Sequence, residues 1–226
     1  MLNDALSALA AGEFIMIHDD KSRENEVDLV IAAQYVRPRD ISQLRNMAGG
    51  MICLAISNDV ASKLELTFMH EILEKVSTKD STLSRIIIGN ARYGDRPSFS
   101  ISINHIQNYT GITDFDRAFT VKEMSKVCAQ IDNGGKDQFV RCFRTPGHVP
   151  LLIEASGLLE ERLGHTELAV HLMKLANLVP SVVICEMLDS ISYRALTVDK
   201  AIEISRREKI PMLEANQIKQ GNGLER

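Results

Sequence analysis

Between two apolar runs, Phe14 to Ile17 and Val27 to Ala33, lies the densest cluster of charge in the chain, Asp19-Asp20-Lys21-Ser22-Arg23-Glu24-Asn25-Glu26-Val27-Asp28. Charge set so close to a core needs solvent or a partner. On an extended segment Glu24, Glu26 and Asp28 project to one side, because side chains alternate along a strand. Three carboxylates on one side repel unless a cation sits among them. Hard oxygen ligands of this kind suit Mg²⁺, which takes one or two carboxylates and keeps several waters. The plainer alternative is a solvated turn with an Arg–Glu surface pair, the commoner fate of a charge cluster.

Arg162-Leu163-Gly164-His165-Thr166-Glu167 offers complementary chemistry. Gly164 permits close backbone approach, Thr166 can cap, and the free N–H groups of a following helix form an anion site. Arg162 adds a planar fork suited to phosphate. His165 can complete a metal shell begun by a carboxylate from elsewhere, although a histidine near a helix start is more often a surface or capping residue. The rigid turn Arg144-Thr145-Pro146-Gly147-His148 presents an imidazole able to shuttle protons, with ordinary polar surface as the alternative. Glu186 ends the apolar run Val182 to Cys185, where a half-buried carboxylate can have a raised pKa or simply reach water. The hydroxyls and tight turn of Tyr109-Thr110-Gly111-Ile112-Thr113-Asp114 can hold phosphate oxygens. Cys53 lies in a strand-like run and reads first as a buried, inert thiol. His18, His70, His105 and His171 show no useful spacing.

The elements that must position these groups follow from periodicity and punctuation. Asn3 and Asp4 are expected to cap a short helix stopped by Gly12, and Pro38 suits the first turn of a helix ending at Gly49-Gly50. Strands are expected over Phe14 to Ile17, Val27 to Ala33, Met51 to Ile56, the alternating run from Ser98, Phe139 to Phe143, Val182 to Glu186 and Ile210 to Leu213. Thr120 with Glu123 reads as a capping box for a helix to Ala129. A helix is expected from His165 to about Leu178, and another capped by Thr197. The polar stretch 71–97 has too little periodicity to place, and the tail QGNGLER is expected to fray. Strands and helices interleave without a repeat or linker, which indicates one α/β-type domain with helices covering a mixed sheet.

Composition narrows the function. The 226 residues hold 26 Lys and Arg against 30 Asp and Glu, a formal charge of -4, and the basic residues form no stripe. That disfavours nucleic-acid binding. Four cysteines without a CxxC pair exclude a zinc knuckle or thioredoxin-type motif and fit a reduced, cytoplasmic setting. The N-terminus lacks the basic region and apolar core of a signal peptide, and no run approaches the ~20 apolar residues needed to span a bilayer.

Five blocks carry a resemblance. Arg23-Glu24-Asn25-Glu26 with Asp28, Thr110-Gly111-Ile112 with Asp116-Arg117-Ala118, Arg144 to Val149, Arg162 to Glu167, and Ile184-Cys185-Glu186-Met187 resemble, in order and spacing, 3,4-dihydroxy-2-butanone 4-phosphate synthase of riboflavin biosynthesis. The resemblance spans roughly Ala5 to Leu213. It implies an α+β three-layer sandwich with helices on both sides of a mixed β-sheet, a single domain with a short tail 214–226, and the stand-alone form of the enzyme. It implies conversion of D-ribulose 5-phosphate to L-3,4-dihydroxy-2-butanone 4-phosphate and formate, using Mg²⁺ with Mn²⁺ as an alternative and two ions per site. It further implies that Glu24 and His165 bind metal; that Arg23, Glu24, Asp28, the segment Arg162-Leu163-Gly164-His165-Thr166 and Glu186 hold the sugar phosphate; and that catalysis depends on His148 and Glu186. Asp19 and Glu26 would support the acidic loop, Cys53 and Thr110 would lie near the substrate, and the chain would form a homodimer with sites near the interface. The match is poorest over 71–97, which looks more like archaeal members. A rival of a different class is a non-catalytic phosphosugar- or nucleotide-binding module that kept the fold, and an RNA-binding module is weaker still given the acidic balance.

Overall fold

A computed structural model describes residues 1–221 of the chain. Its strands are β1 (Ile15–His18), β2 (Val27–Ala32), β3 (Cys53–Ile56), β4 (Phe99–His105), β5 (Phe143–Ile153), β6 (Ser181–Glu186), β7 (Leu188–Asp189), β8 (Arg194–Ala195) and β9 (Met212–Glu214). Seven of them form one mixed sheet in the order β4-β5-β3-β6-β2-β1-β9, while β7 and β8 make a separate two-stranded ribbon. Within the large sheet only β1 with β9 and β3 with β5 run parallel.

The central strands are apolar on both faces because both faces are covered. Met16, Leu29, Ile31, Leu54, Ile56 and Val183 join the core beneath helices Pro38–Gln43 and Asp114–Ala129. Their alternates, Ile17, Val30, Ala55, Val182 and Ile184, pack with Leu9, Leu168, Leu172 and Ile218 of helices Leu2–Ala10, His165–Leu175 and Ala215–Gly221. The result is the expected α+β three-layer sandwich, a single domain. The same alternation places Cys53, Asp28 and Glu186 on the face that carries helix His165–Leu175, and Asp28 is paired directly with Glu186 across β2 and β6.

Several local expectations are corrected. Asn3 and Asp4 do not cap the first helix; its N-cap is Met1, and Asp4 pairs with the terminal amine. Thr120 starts nothing. The helix begins at Asp114, capped by the Thr113 hydroxyl accepting from Asp116 N, and buried Thr120 instead accepts from His105 N and Asn108 Nδ2. Phe139 to Phe143 is not a strand: Lys136–Cys142 is helical, with Phe139 and Cys142, three residues apart, packed against the core and Val140 exposed. Arg144 to His148, expected as a turn, is an irregular excursion within β5: adjacent Ile103 and Asn104 of β4 pair with Val149 and Arg144, which leaves Thr145 to His148 without ladder partners in β4 before pairing resumes to His105↔Phe143. Helix His165–Leu175 stops three residues short of Leu178. The unplaced stretch contains two short helices, Met69–Val76 and Thr82–Ile86, neither of which buries a residue. Residues 215–221 of the supposed tail are helical, with Ala215 and Ile218 buried; the rest of the expected frayed end, 222–226, lies outside the described residues. No helix among the described residues is long and apolar enough to cross a membrane.

Candidate active site

The acidic loop joins β1 to β2, and Asp19 organises it from inside. Its buried carboxylate accepts Glu24 N at 3.0 Å and Arg23 Nη1 at 3.2 Å on Oδ2, and Glu26 N at 3.0 Å on Oδ1. Asn25 takes a left-handed conformation, φ 55°, so the segment is not extended until Val27. The expected alignment of Glu24, Glu26 and Asp28 on one side therefore fails. Glu24 and Asp28 line a pocket, whereas Glu26 contributes its backbone carbonyl to His165 Nε2 at 3.1 Å.

His165 opens its helix above that pocket. The N-cap is Gly164 with no side-chain cap, so Thr166 does not cap; it is buried and lines the pocket. A Cβ on Gly164 would come within 2.8 Å of Glu167 Oε2 and 2.9 Å of Arg23 Nη2, which is why glycine stands there. With Nε2–H donating to Glu26 O, Nδ1 faces Glu24 Oε2 at 3.3 Å. Burial disfavours an imidazolium here, but the charge of Asp28, the hydrogen bond from Glu24 and the charge of Asp19 overcome it and hold His165 up at about 9. Burial likewise opposes ionisation of Glu24, yet His165 and Arg23 bring it down to about 2. Asp28 goes the other way, pushed up to about 7 mainly by burial, and its Oδ1 has no hydrogen-bond partner. One donor atom each from Asp19, Glu24 and His165 fall within 4.8 Å of one another. Asp19 is already engaged by three N–H groups, which leaves Glu24 and His165 as the donors aimed into the opening.

Two guanidiniums form the other end. Arg23 Nη1 meets Asp19 and Glu24, its Nε donates to Asp95 Oδ2 at 3.0 Å, and its Cζ lies 4.8 Å from the Tyr93 ring centre. Arg162 donates through Nη1 to Ser98 Oγ and to both oxygens of buried Glu167, at 3.1 and 3.0 Å. Arg23 Nη2 and Arg162 Nε are buried and unpartnered. Of the segment 162–166, Arg162, His165 and Thr166 line the pocket; Leu163 packs on the apolar core and Gly164 serves as the cap. Tyr93, Pro97, Ser98 and Phe99 line it too. None was legible as a site residue: Tyr93 and Pro97 lie in a stretch with no apolar period, and Ser98 and Phe99 open the expected alternating strand without any feature that marks a site.

Glu186 closes the floor. Its Oε2 accepts Met51 N at 2.7 Å and its carbonyl accepts Gly50 N at 3.0 Å. A Cβ on Gly50 would stand 2.5 Å from both Oε2 and the Glu186 carbonyl oxygen. Gly50→Ala is therefore expected to displace the Glu186 carboxyl and lower turnover at least about tenfold, with a stability loss of about 1–3 kcal/mol; the kinetic assay and a urea melt measure the two separately. Cys53 lines the pocket as well, but burial, with Glu186 and Asp28 nearby, pushes its thiol well up, so it offers no thiolate.

The sequence profile of the 3,4-dihydroxy-2-butanone 4-phosphate synthase family matches residues 3–220. The chain belongs to that family. It is 40% identical over 219 residues to the 3,4-dihydroxy-2-butanone 4-phosphate synthase of Methanosarcina mazei, covering 96% of this chain and 89% of the relative. It is 40% identical over 216 residues to the enzyme of the same name from Archaeoglobus fulgidus, covering 95% and 91%. Among solved structures, a 3,4-dihydroxy-2-butanone 4-phosphate synthase in complex with two magnesium ions is 26% identical and superposes with a TM-score of 0.74, covering 95% of this chain and 93% of that one.

Two of the residues that the synthase resemblance implicates, His148 and Thr110, are not among those lining the pocket. They form a second group on the β4–β5 side of the sheet. His148 is exposed; its backbone N–H donates to Asn104 Oδ1 at 2.9 Å and its Nδ1 meets Asn104 Nδ2 at 3.0 Å. The Thr110-Gly111 turn presses against the same asparagine, since a Cβ on Gly111 would reach 2.2 Å from Asn104 Nδ2. Thr110 Oγ1 and Gly111 N both donate to Asp116 Oδ2, so their polar groups are spent on the turn rather than aimed at the pocket. Around this group Ile106, Tyr109, Ile112, Phe115 and Val140 are exposed, Tyr109 almost completely at 99%.

Proposed function

We propose that the pocket converts D-ribulose 5-phosphate to L-3,4-dihydroxy-2-butanone 4-phosphate and formate in riboflavin biosynthesis. The observation that carries this is a single cavity joining a carboxylate–imidazole pair, Glu24 and His165, to an arginine pair with unpartnered buried N–H groups. The donor set fits a hard divalent ion: Glu24 is ionised, His165 Nδ1 is aimed beside it, and Asp28 Oδ1 lies buried nearby without a hydrogen-bond partner. Glu24 and His165 are the proposed ligands, with Mg²⁺ the proposed ion, Mn²⁺ an alternative and two ions the proposed count. When bound, such an ion supplies positive charge for the oxygen that becomes anionic once a proton leaves the neighbouring carbon.

The chain's own groups do the rest. Arg23, Arg162 and the N-terminus of the helix opened by His165 grip the phosphate, so binding energy from the far end fixes the reacting carbons. Glu186, with Oε2 held by Met51 N, keeps Oε1 free to take or return a proton. His148 is the second proposed acid/base, and the exposed apolar side chains around it support a homodimer in which one copy's His148 serves its neighbour's pocket. A cytoplasmic setting agrees with the four free cysteines.

Purified protein given ribulose 5-phosphate and Mg²⁺ is expected to release one formate per sugar consumed, and a chelator is expected to stop it. A folded dimer that releases no formate under those conditions overturns the reading.

A further inference from the structure

Asp95 sits where the phosphate end needs its donors. Its Oδ2 accepts Arg23 Nε at 3.0 Å and lies 3.4 Å from Arg162 Nε, an ion-pair distance without a hydrogen bond, so one carboxylate oxygen sits between the two guanidiniums. An arginine binds a phosphate side-on through Nε and Nη2 together, two parallel N–H bonds. On Arg23 that edge is half taken: Nε is engaged by Asp95, while Nη2 is buried, unpartnered and close to Gly164 at the helix N-terminus. Arg23 Nη1 is already committed to Asp19 and Glu24, so no other edge is open. The carboxylate is carried on a tight turn, Ala91 to Asp95, closed by Ala91 N to Asp95 O at 2.7 Å with Gly94 at φ 102°. A Cβ on Gly94 would meet nothing within 4 Å, so space surrounds the turn.

We propose that Asp95 is the specificity-determining residue of the anion end: its carboxylate engages the arginine edge and yields it only to a phosphate dianion. The proposal rests on the phosphate-binding reading above. A monoanionic carboxylate arriving from solvent exchanges like for like, against a competitor tethered in place, and gains nothing. A phosphate dianion brings a second charge and a third oxygen, enough to take Arg23 Nε, Nη2 and the helix N–H groups together. Unphosphorylated sugars bring no charge and leave Asp95 seated.

The test is calorimetric titration of the full-length protein with inorganic phosphate and, separately, with acetate. Asp95→Asn, which keeps the shape and removes the charge, is expected to bind phosphate about tenfold more tightly or better, and to bind acetate where the unaltered protein does not. Asp95→Ala should do the same if asparagine still bridges the arginines. In turnover, KM for the sugar phosphate should fall. An Asp95 that only props the arginines predicts the opposite, weaker phosphate binding in both variants. That result, or unchanged affinity and selectivity, overturns the proposal. Arg162→Ala separates the two readings: if it leaves phosphate affinity intact, the phosphate site itself is misplaced, whereas if it abolishes binding and Asp95→Asn changes nothing, only the role of Asp95 falls.

Discussion

Replacing His148 with alanine is expected to lower formate release by about 10²–10⁴-fold, the usual contribution of a positioned general acid or base, while leaving Mg²⁺ and inorganic phosphate binding intact. The structural cost is small, because the side chain is exposed and its ring hydrogen-bonds Asn104 at the surface. The sharper form of the experiment mixes this variant with Glu24→Gln. Each homodimer is inactive, one for want of the acid/base and the other for want of the metal ligand. If His148 reaches across to the neighbouring pocket, a hybrid dimer holds one site with both defects and one with neither. Random exchange makes about half the dimers hybrid, so the mixture should recover about a quarter of the unaltered activity. No recovery in subunits shown to exchange would mean that His148 does not serve a partner's pocket.

What the sequence disclosed depended on how local the governing interaction is. The acidic loop, the Arg162 to Glu167 block and Glu186 were legible because each is a short run whose chemistry and punctuation sit together. The same holds for the central strands, whose apolar runs are bounded by polar turns. Errors came where two local patterns compete. Thr120 with Glu123 imitates a capping box, but Thr113 stands three residues before Asp116 and wins, since Asp116 also ties down Thr110 and Gly111. Phe139 to Phe143 is too short an apolar run for period to separate helix from strand. Glu24, Glu26 and Asp28 were expected on one side because alternation assumes an extended chain, and three hydrogen bonds to a buried Asp19 break it. Tyr93 and Asp95 were invisible for a different reason. Helices Met69–Val76 and Thr82–Ile86 bury nothing, so no hydrophobic pattern marks where that stretch turns back onto the arginines.

Mg²⁺ affinity is expected to rise about tenfold per pH unit from pH 7 toward 9 and then level off, and to drop by about 100-fold or more in His165→Ala or Glu24→Gln. The sign follows from the charges in the metal-free pocket. Glu24, held at about 2, is ionised throughout and contributes no slope, while Asp28, at about 7, is half protonated at about pH 7 and finishes titrating near about pH 8. His165, held at about 9, is still imidazolium over this window and must give up a proton before Nδ1 can donate to an ion. The same proton governs stability. An imidazolium whose folded pKa stands above its ordinary 6.5 stabilises the fold fully below that value, and the contribution disappears as pH rises through 9. Asp28, also raised, favours the fold in its neutral form and loses that contribution as pH rises through about 7, so it adds to the fall up to about pH 8 and the slope beyond that belongs to His165. The melting temperature in chelator should therefore fall across this interval. Saturating Mg²⁺ offsets the fall increasingly, because binding to the folded state tightens as the proton leaves. The gap between the two melting curves should widen with pH in the unaltered protein and stay narrow and flat in His165→Ala. Affinity that is flat from pH 7 to 9 in the unaltered protein, with a constant gap, removes His165 from the ligand set and leaves Glu24 to hold the ion without it.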